Sequence, residues 1–313
     1  MMKIAAVFPG QGSQSVAMLA DLAASHAEVQ ATFAEASQRL DYDLWQLVQE
    51  GPVEKLNQTE FTQPAMLAAG VATYRVWRAT GGAEPELLAG HSLGEYSALV
   101  VAGVLSLADA AWLVSERGRL MQSAVPAGKG AMAAILGLSD EQVIEVCRAA
   151  TQGEVVEAVN FNSSGQVVIA GQTAAVERAM SGAKEAGAKR ALPLPVSVPS
   201  HSSLMTGAAD QLATCFAQIE FSEPKIPVLQ NVTAEAASDL ETLKGALKQQ
   251  LFSPVQWVKC VQNLQAAEAD VLLELGPGKV LTGLAKRIDR RFASFAVADT
   301  ATLEKALTHC KGE

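Results

Sequence analysis

Apolar and polar positions change rhythm several times along this chain. Lys3-Ile4-Ala5-Ala6-Val7-Phe8 is almost unbroken in its apolar character and stops at Pro9, the pattern of a short buried strand. Pro9-Gly10-Gln11-Gly12-Ser13-Gln14 follows as a loop, with a helix beginning near Ser15. From Asp21 to Gln58 apolar residues recur at helical spacing. Phe61-Thr62-Gln63-Pro64 breaks that spacing, and Pro64 suits the first turn of a new helix running to about Thr80, ended by Gly81-Gly82. Leu87-Leu88-Ala89 is a second buried strand, and an Ala/Leu/Val-rich helix leads away from it to about Ala102, with Gly103 as its stop. Ser106 and Asp109 have the spacing of a capping box and open a helix to about Ala124.

The texture changes at Gly130. Ala131–Leu136 is strand-like and Asp140–Ala150 helical. Val155–Phe161 and Gln166–Ala170 are strands joined by the turn sequence Asn162-Ser-Ser-Gly165. Ala174–Ala186 is helical and Ala191–Val198 strand-like. This order, β-α-β-β-α-β, is a ferredoxin-like split unit of about 70 residues. It predicts a small subdomain at 129–198 inserted in a larger α/β subdomain made of 1–128 and 199–313. The larger part resumes with a polar turn at Val198–Ser203, a helix over 204–219, a strand over Pro227–Val232 and a helix over 238–252. It ends with the strand Val271–Leu275 and a loop, Gly276-Pro277-Gly278-Lys279, that opens a helix to about Arg287.

With 313 residues, 49% hydrophobic and 18% charged, the chain has ample material for one large domain, or one large and one small. A net charge of −9 removes any global electrostatic case for nucleic acid or an anionic membrane. Two local cationic clusters remain: Lys286, Arg287, Arg290 and Arg291, and Lys184, Lys189 and Arg190. Each is either a solvated helix face or a patch for an acidic partner. Cys147, Cys215, Cys260 and Cys310 are scattered, with no metal-ligand spacing, which suits a reducing cytoplasm. The apolar run before Pro9 is too short for a signal-peptide core, and His91, Glu95 and Asp109 interrupt the apolar region Leu87–Val114. The expectation is a soluble cytoplasmic protein.

Candidate chemistry centres on Gly90-His91-Ser92-Leu93-Gly94. Gly-x-Ser-x-Gly between a strand and a helix is the spacing of a nucleophile elbow, although a simple turn shares it. Gly10-x-Gly12 lacks the third glycine of a dinucleotide fingerprint, so its loop is either a turn or an amide-rich ligand loop at a strand end. Arg117 falls on the apolar stripe of its helix, among Leu113, Val114, Leu120 and Met121. A buried cation needs a partner, which is either a carboxylate of the protein or one on a ligand. Of four histidines, His26 lies in the first helix, His309 near a frayed C-terminus, and His91 beside the serine and turned elsewhere. That leaves His201 as the candidate general base, against the ordinary structural role of a lone histidine.

Phe8–Gln14, Gln63-Pro64-Ala65, Gly90–Tyr96, Arg117-Gly118, Pro199-Ser200-His201-Ser202 and Gly276–Lys279 occur in order across nearly the whole chain. Together they resemble the malonyl-CoA:acyl carrier protein transacylases of bacterial type II fatty-acid synthesis. The resemblance implies a hydrolase-like large subdomain with a central, mostly parallel sheet beside the ferredoxin-like one. It implies that Ser92, activated by His201, forms a malonyl-serine ester in a ping-pong reaction. Backbone N–H groups of Gln11 and Leu93 would hold the oxyanion. Arg117, with Gln63 nearby, would grip the malonyl carboxylate, and the Gln250 backbone carbonyl would orient His201. Asn162 and Gln166 would face the cleft from the small subdomain. No metal or cofactor is implied; malonyl-CoA is the substrate, and the phosphopantetheine belongs to the partner. That partner, an acidic acyl carrier protein, would dock on a local basic patch of a monomer. Two rival classes remain. A serine hydrolase would ordinarily place Asp or Glu as a third triad member and has no use for Arg117. A non-catalytic carrier-binding subunit has no use for Ser92 and His201 together.

Overall fold

The structure, a computed structural model, describes residues 2–196 and 198–312. Among the described residues the nine strands are β1 (Ile4–Phe8), β2 (Leu87–Gly90), β3 (Gly130–Leu136), β4 (Val156–Ser163), β5 (Gln166–Gln172), β6 (Arg190–Pro193), β7 (Val228–Leu229), β8 (Val271–Leu275) and β9 (Ala293–Val297). They form two sheets, ordered β7-β2-β1-β8-β9 and β4-β5-β3-β6. All pairs in the first are parallel and all pairs in the second antiparallel.

The central sheet explains why β1 is apolar without alternation. Helices cover both faces, so Ile4, Ala6 and Phe8 enter one core cluster while Ala5 and Val7 enter the other. Register pairs Phe8 with Gly90 and Val7 with Glu274, so the loops after β1, β2 and β8 leave the same edge of the sheet. From β1 the chain builds outward to β2 and β7, then returns to β8 and β9 on the other side. Open α/β sheets bind ligands in the crevice at such a reversal.

The second sheet carries the ferredoxin-like order. One face packs on the helices Asp140–Ala150 and Thr173–Glu185, which supply Val143, Cys147, Val176 and Ala179 to its core. Its β4 is joined to the larger part through Val255: Val255 N donates to Val159 O at 2.9 Å, and Phe161 N to Val255 O at 3.0 Å.

Several elements differ from the sequence reading. The helical stretch 21–58 is broken into Ala20–Ser25, Ala27–Ala36, Leu44–Glu50 and Val53–Leu56, with a 3₁₀ turn at Ser37–Arg39. The next helix starts at Thr59, not Pro64, and holds Pro64 inside it to Ala79. Its first turn packs against Gly118, where a Cβ would come within 2.6 Å of Glu60 Cα and Thr59 O. The strand expected at Ala191–Val198 is the shorter β6, and Ser197 lies outside the described residues. The C-terminus adds β9 and a helix, Thr300–Lys311, neither predicted. His309 sits on that helix with its ring 4.5 Å from that of Phe295, not on a frayed end. No helix among the described residues is long and apolar enough to cross a membrane.

Candidate active site

Ser92 follows β2 with φ +54°, a left-handed backbone that a side chain adopts only under constraint. The two flanking glycines show the constraint. A Cβ on Gly90 would lie 1.8 Å from the Gly94 carbonyl carbon, and one on Gly94 would lie 2.0 Å from Phe8 O. Only glycine lets strand, turn and helix Gly94–Val101 pass this closely. Asn231, just beyond β7, clamps the turn. Ser92 N donates to Asn231 Oδ1 at 2.6 Å, and Asn231 Nδ2 donates to Gly90 O at 2.6 Å.

Ser92 Oγ lies 2.8 Å from His201 Nε2, and His201 Nδ1 lies 2.7 Å from the backbone carbonyl of Gln250. A carbonyl only accepts, so Nδ1 carries the proton and Nε2 presents a lone pair to the serine hydroxyl. Burial, reinforced by the Arg117 charge, pushes the His201 imidazole down to about 3, against the opposing pull of the Gln250 carbonyl. His201 is therefore neutral at physiological pH and able to take a proton.

Arg117 is 1% exposed on the helix Leu107–Ser123. Nη1 donates to Gln63 Oε1 at 2.8 Å. Nη2 donates to Gln250 Oε1 at 2.9 Å and to Ser92 Oγ at 3.3 Å. The Tyr96 ring stands 5.4 Å from the guanidinium carbon. Among the described residues no carboxylate comes within ion-pair distance, and Nε has no partner. Of the two partners the sequence left open to this cation, the described residues supply no carboxylate, only two amide oxygens and the nucleophile's own hydroxyl.

The Pro9–Gln14 loop lies against the elbow, since His91 N donates to Phe8 O at 3.0 Å. The backbone N–H groups of Gln11 and Leu93 have no protein acceptor among the described residues. The Ser92 N–H is already committed to Asn231. The Gln11 side chain reaches Thr59 Oγ1 at 3.4 Å.

Asn162 is buried and accepts from His91 Nε2 at 2.8 Å, while the His91 ring leans on Trp257. Asn162 thus meets the elbow through His91. Gln166 stands apart from this group: its Oε1 accepts from Arg287 Nη1 of the cationic cluster. Ser92, His201, Arg117, Gln63 and Gln250 converge; Gln166 does not join them.

Sequence reasoning missed Asn231, the Gln250 side chain and Glu95 as parts of the site. Glu95 is fully buried one turn beyond the serine and accepts from Asn231 N at 2.8 Å and Gln250 Nε2 at 2.9 Å. A signal existed for two of them: a carboxylate inside an apolar helix start for Glu95, and polar Gln230-Asn231 directly after an apolar strand for Asn231; the Gln250 side chain had none. Among the described residues no group of three or more His, Cys, Asp or Glu could hold a metal ion.

A neutral imidazole on a strained serine, with a cation held ready beside it, equips the site for acyl transfer through a serine ester. Comparison with known proteins agrees. The model of the acyl transferase domain family matches residues 6–303. The malonyl CoA-acyl carrier protein transacylase of Salmonella typhimurium is 56% identical over 308 residues, covering 98% of this chain and 100% of that protein. The crystal structure of an acyl carrier protein S-malonyltransferase from Vibrio cholerae has 61% identity and a TM-score of 0.95, covering 97% of this chain and 99% of that one. A malonyl-transacylase solved in complex with a type II PKS acyl-carrier protein has 55% identity and a TM-score of 0.96, covering 98% and 99%.

Proposed function

This chain belongs to the acyl transferase family, and from that premise we propose how its site works. The protein is an acyltransferase that moves the malonyl group of malonyl-CoA to acyl carrier protein, in the service of fatty-acid synthesis. Ser92 Oγ attacks the thioester carbonyl carbon while His201 Nε2 takes its proton. The oxygen that becomes negative is met by the N–H groups of Gln11 and Leu93. The C–S bond breaks, His201 returns the proton to the departing CoA sulfur, and a malonyl-serine ester remains. The phosphopantetheine thiol of the carrier then gives its proton to His201 and attacks the ester carbonyl. Ser92 leaves with that proton, and the malonyl thioester of the carrier is released. The Gln250 carbonyl keeps His201 in the tautomer both halves need.

The observation that carries the malonyl assignment is Arg117, a buried guanidinium bonded to neutral amides beside Ser92. A malonyl carboxylate completes its fork; an acetyl group leaves it buried and unpaired. Gln63 aims Arg117. Asn162 supports the elbow through His91, and Gln166 braces Arg287. In this reading 129–198 forms the small subdomain beside a large one of 1–128 and 199–313. The enzyme works in the cytoplasm as a monomer without a cofactor of its own. The acidic carrier docks on exposed cations such as Lys286 and Arg290. Replacing Arg117 by Ala tests the assignment. Malonyl transfer is expected to fall by roughly 10³-fold or more, by the discrimination typical of sites built around a polar substrate group, and acetyl transfer by far less. Equal losses for both acyl groups would refute the carboxylate role.

A further inference from the structure

The buried carboxylate of Glu95 plays no part in the transfer steps, yet it sits in the middle of the network that holds them. Gln250 is the link. Its Nε2 donates to Glu95 Oε2 at 2.9 Å and to Ser92 O at 3.0 Å, while its Oε1 accepts from Arg117 Nη2 at 2.9 Å. No basic side chain among the described residues pairs directly with Glu95, and its Oε1 has no hydrogen-bond partner. A carboxylate only accepts, so Glu95 obliges the Gln250 amide to turn its NH₂ inward and its oxygen toward Arg117. We propose that Glu95 is the countercharge of Arg117, and that Gln250 holds the two one amide apart so that the guanidinium is balanced in charge yet left unpaired for the acyl carboxylate.

The inference rests on the malonyl-transfer reading above and adds a specificity role to it. A carboxylate in direct contact would take the guanidinium fork in a bidentate pair and leave the substrate to compete for it. An amide oxygen accepts the same N–H without cancelling the charge. The arrangement also accounts for an anion buried so close to the nucleophile. Burial pushes the Glu95 carboxyl up to about 7 against the bonds from Asn231 and Gln250 and the charge of Arg117, so the countercharge is in place above that pH. Glu95 is a positioning residue: it acts on the substrate through Gln250 and Arg117.

The test compares, at pH 8 where Glu95 is ionised, acylation of Ser92 by malonyl-CoA and by acetyl-CoA, followed by intact-protein mass, in the wild type, in Glu95→Gln, and in the charge-conserving swap Glu95→Gln with Gln250→Glu. Both changes are isosteric, and the swap keeps the backbone carbonyl that faces His201. In Glu95→Gln the amide oxygen can still accept from Asn231 and Gln250, but an anion near the acyl carboxylate is gone. The malonyl-over-acetyl ratio is expected to rise by roughly threefold or more. In the swap the carboxylate at 250 pairs with Arg117 directly, and the ratio is expected to fall by about tenfold or more. A Glu95→Gln ratio at or below the wild-type value overturns the proposal, and so does a swap that keeps the wild-type ratio. Each variant decides alone if the other does not fold. A wild type that shows no preference for malonyl overturns the malonyl-transfer reading itself, and the countercharge role with it.

Discussion

His201 is 3% exposed, and its burial next to the Arg117 charge costs it the ability to hold a second proton in the usual imidazole range. The sign of the effect is specific. A general base works in its neutral form, and a depressed pKa keeps that form populated far into acid. Acylation of Ser92 by a donor whose acyl group is uncharged, such as acetyl-CoA, is therefore expected to stay level from pH 8 to below pH 6. A stopped-flow rate profile that falls with a midpoint near 6.5, the ordinary histidine value, would contradict the buried neutral imidazole. Arg117 makes the complementary point. It is held by two glutamines rather than by a carboxylate, so its charge stays available at the cost of a buried cation.

At the scale of elements, the elbow was legible because its constraint is local: a strand, a tight turn and a helix leave no room for side chains at positions 90 and 94. The same holds for β1, whose apolar run follows from burial on both faces, and for the split β-α-β-β-α-β unit, whose turns and periodicities are all short-range. What the sequence hid depends on distant partners. The breaks in 21–58 and the early start at Thr59 are set by packing between helices, as at Gly118. Asn231 reaches Ser92 across 139 residues, and its place after an apolar strand marks it as polar at a strand end without showing what it clamps. Its removal has a definite consequence. Asn231→Ala strips the Ser92 N–H and the Gly90 C=O of their partners, and each buried group left unsatisfied costs about 1–3 kcal/mol. A thermal melt is expected to show a midpoint lowered by several degrees, with acylation reduced by about tenfold or more as the elbow relaxes. An unchanged melt with full activity would show that the glycines alone hold the turn.

The whole molecule places one residue set across two sheets. The elbow, the Pro9–Gln14 loop and Asn231 come from the edge where the parallel strands end. His201 lies beyond the small sheet in the chain, where Ser203 is tied back to β4 by two hydrogen bonds from its N and Oγ to Glu157, at 2.7 and 2.8 Å. A second tie runs from Gln166 to Arg287. Ser92 and His201 thus meet within the larger part, where His201 N donates to Leu251 O at 2.9 Å, while these ties hold the small sheet beside them. The central claim is that the acyl group carried on Ser92 between two thiols is malonyl. Intact-protein mass spectrometry tests it directly: brief exposure to malonyl-CoA, then addition of acyl carrier protein bearing its phosphopantetheine. The account predicts a malonyl adduct on Ser92 that persists in water and moves to the carrier when the carrier is added. Release of CoA with free malonate and no lasting adduct would contradict it.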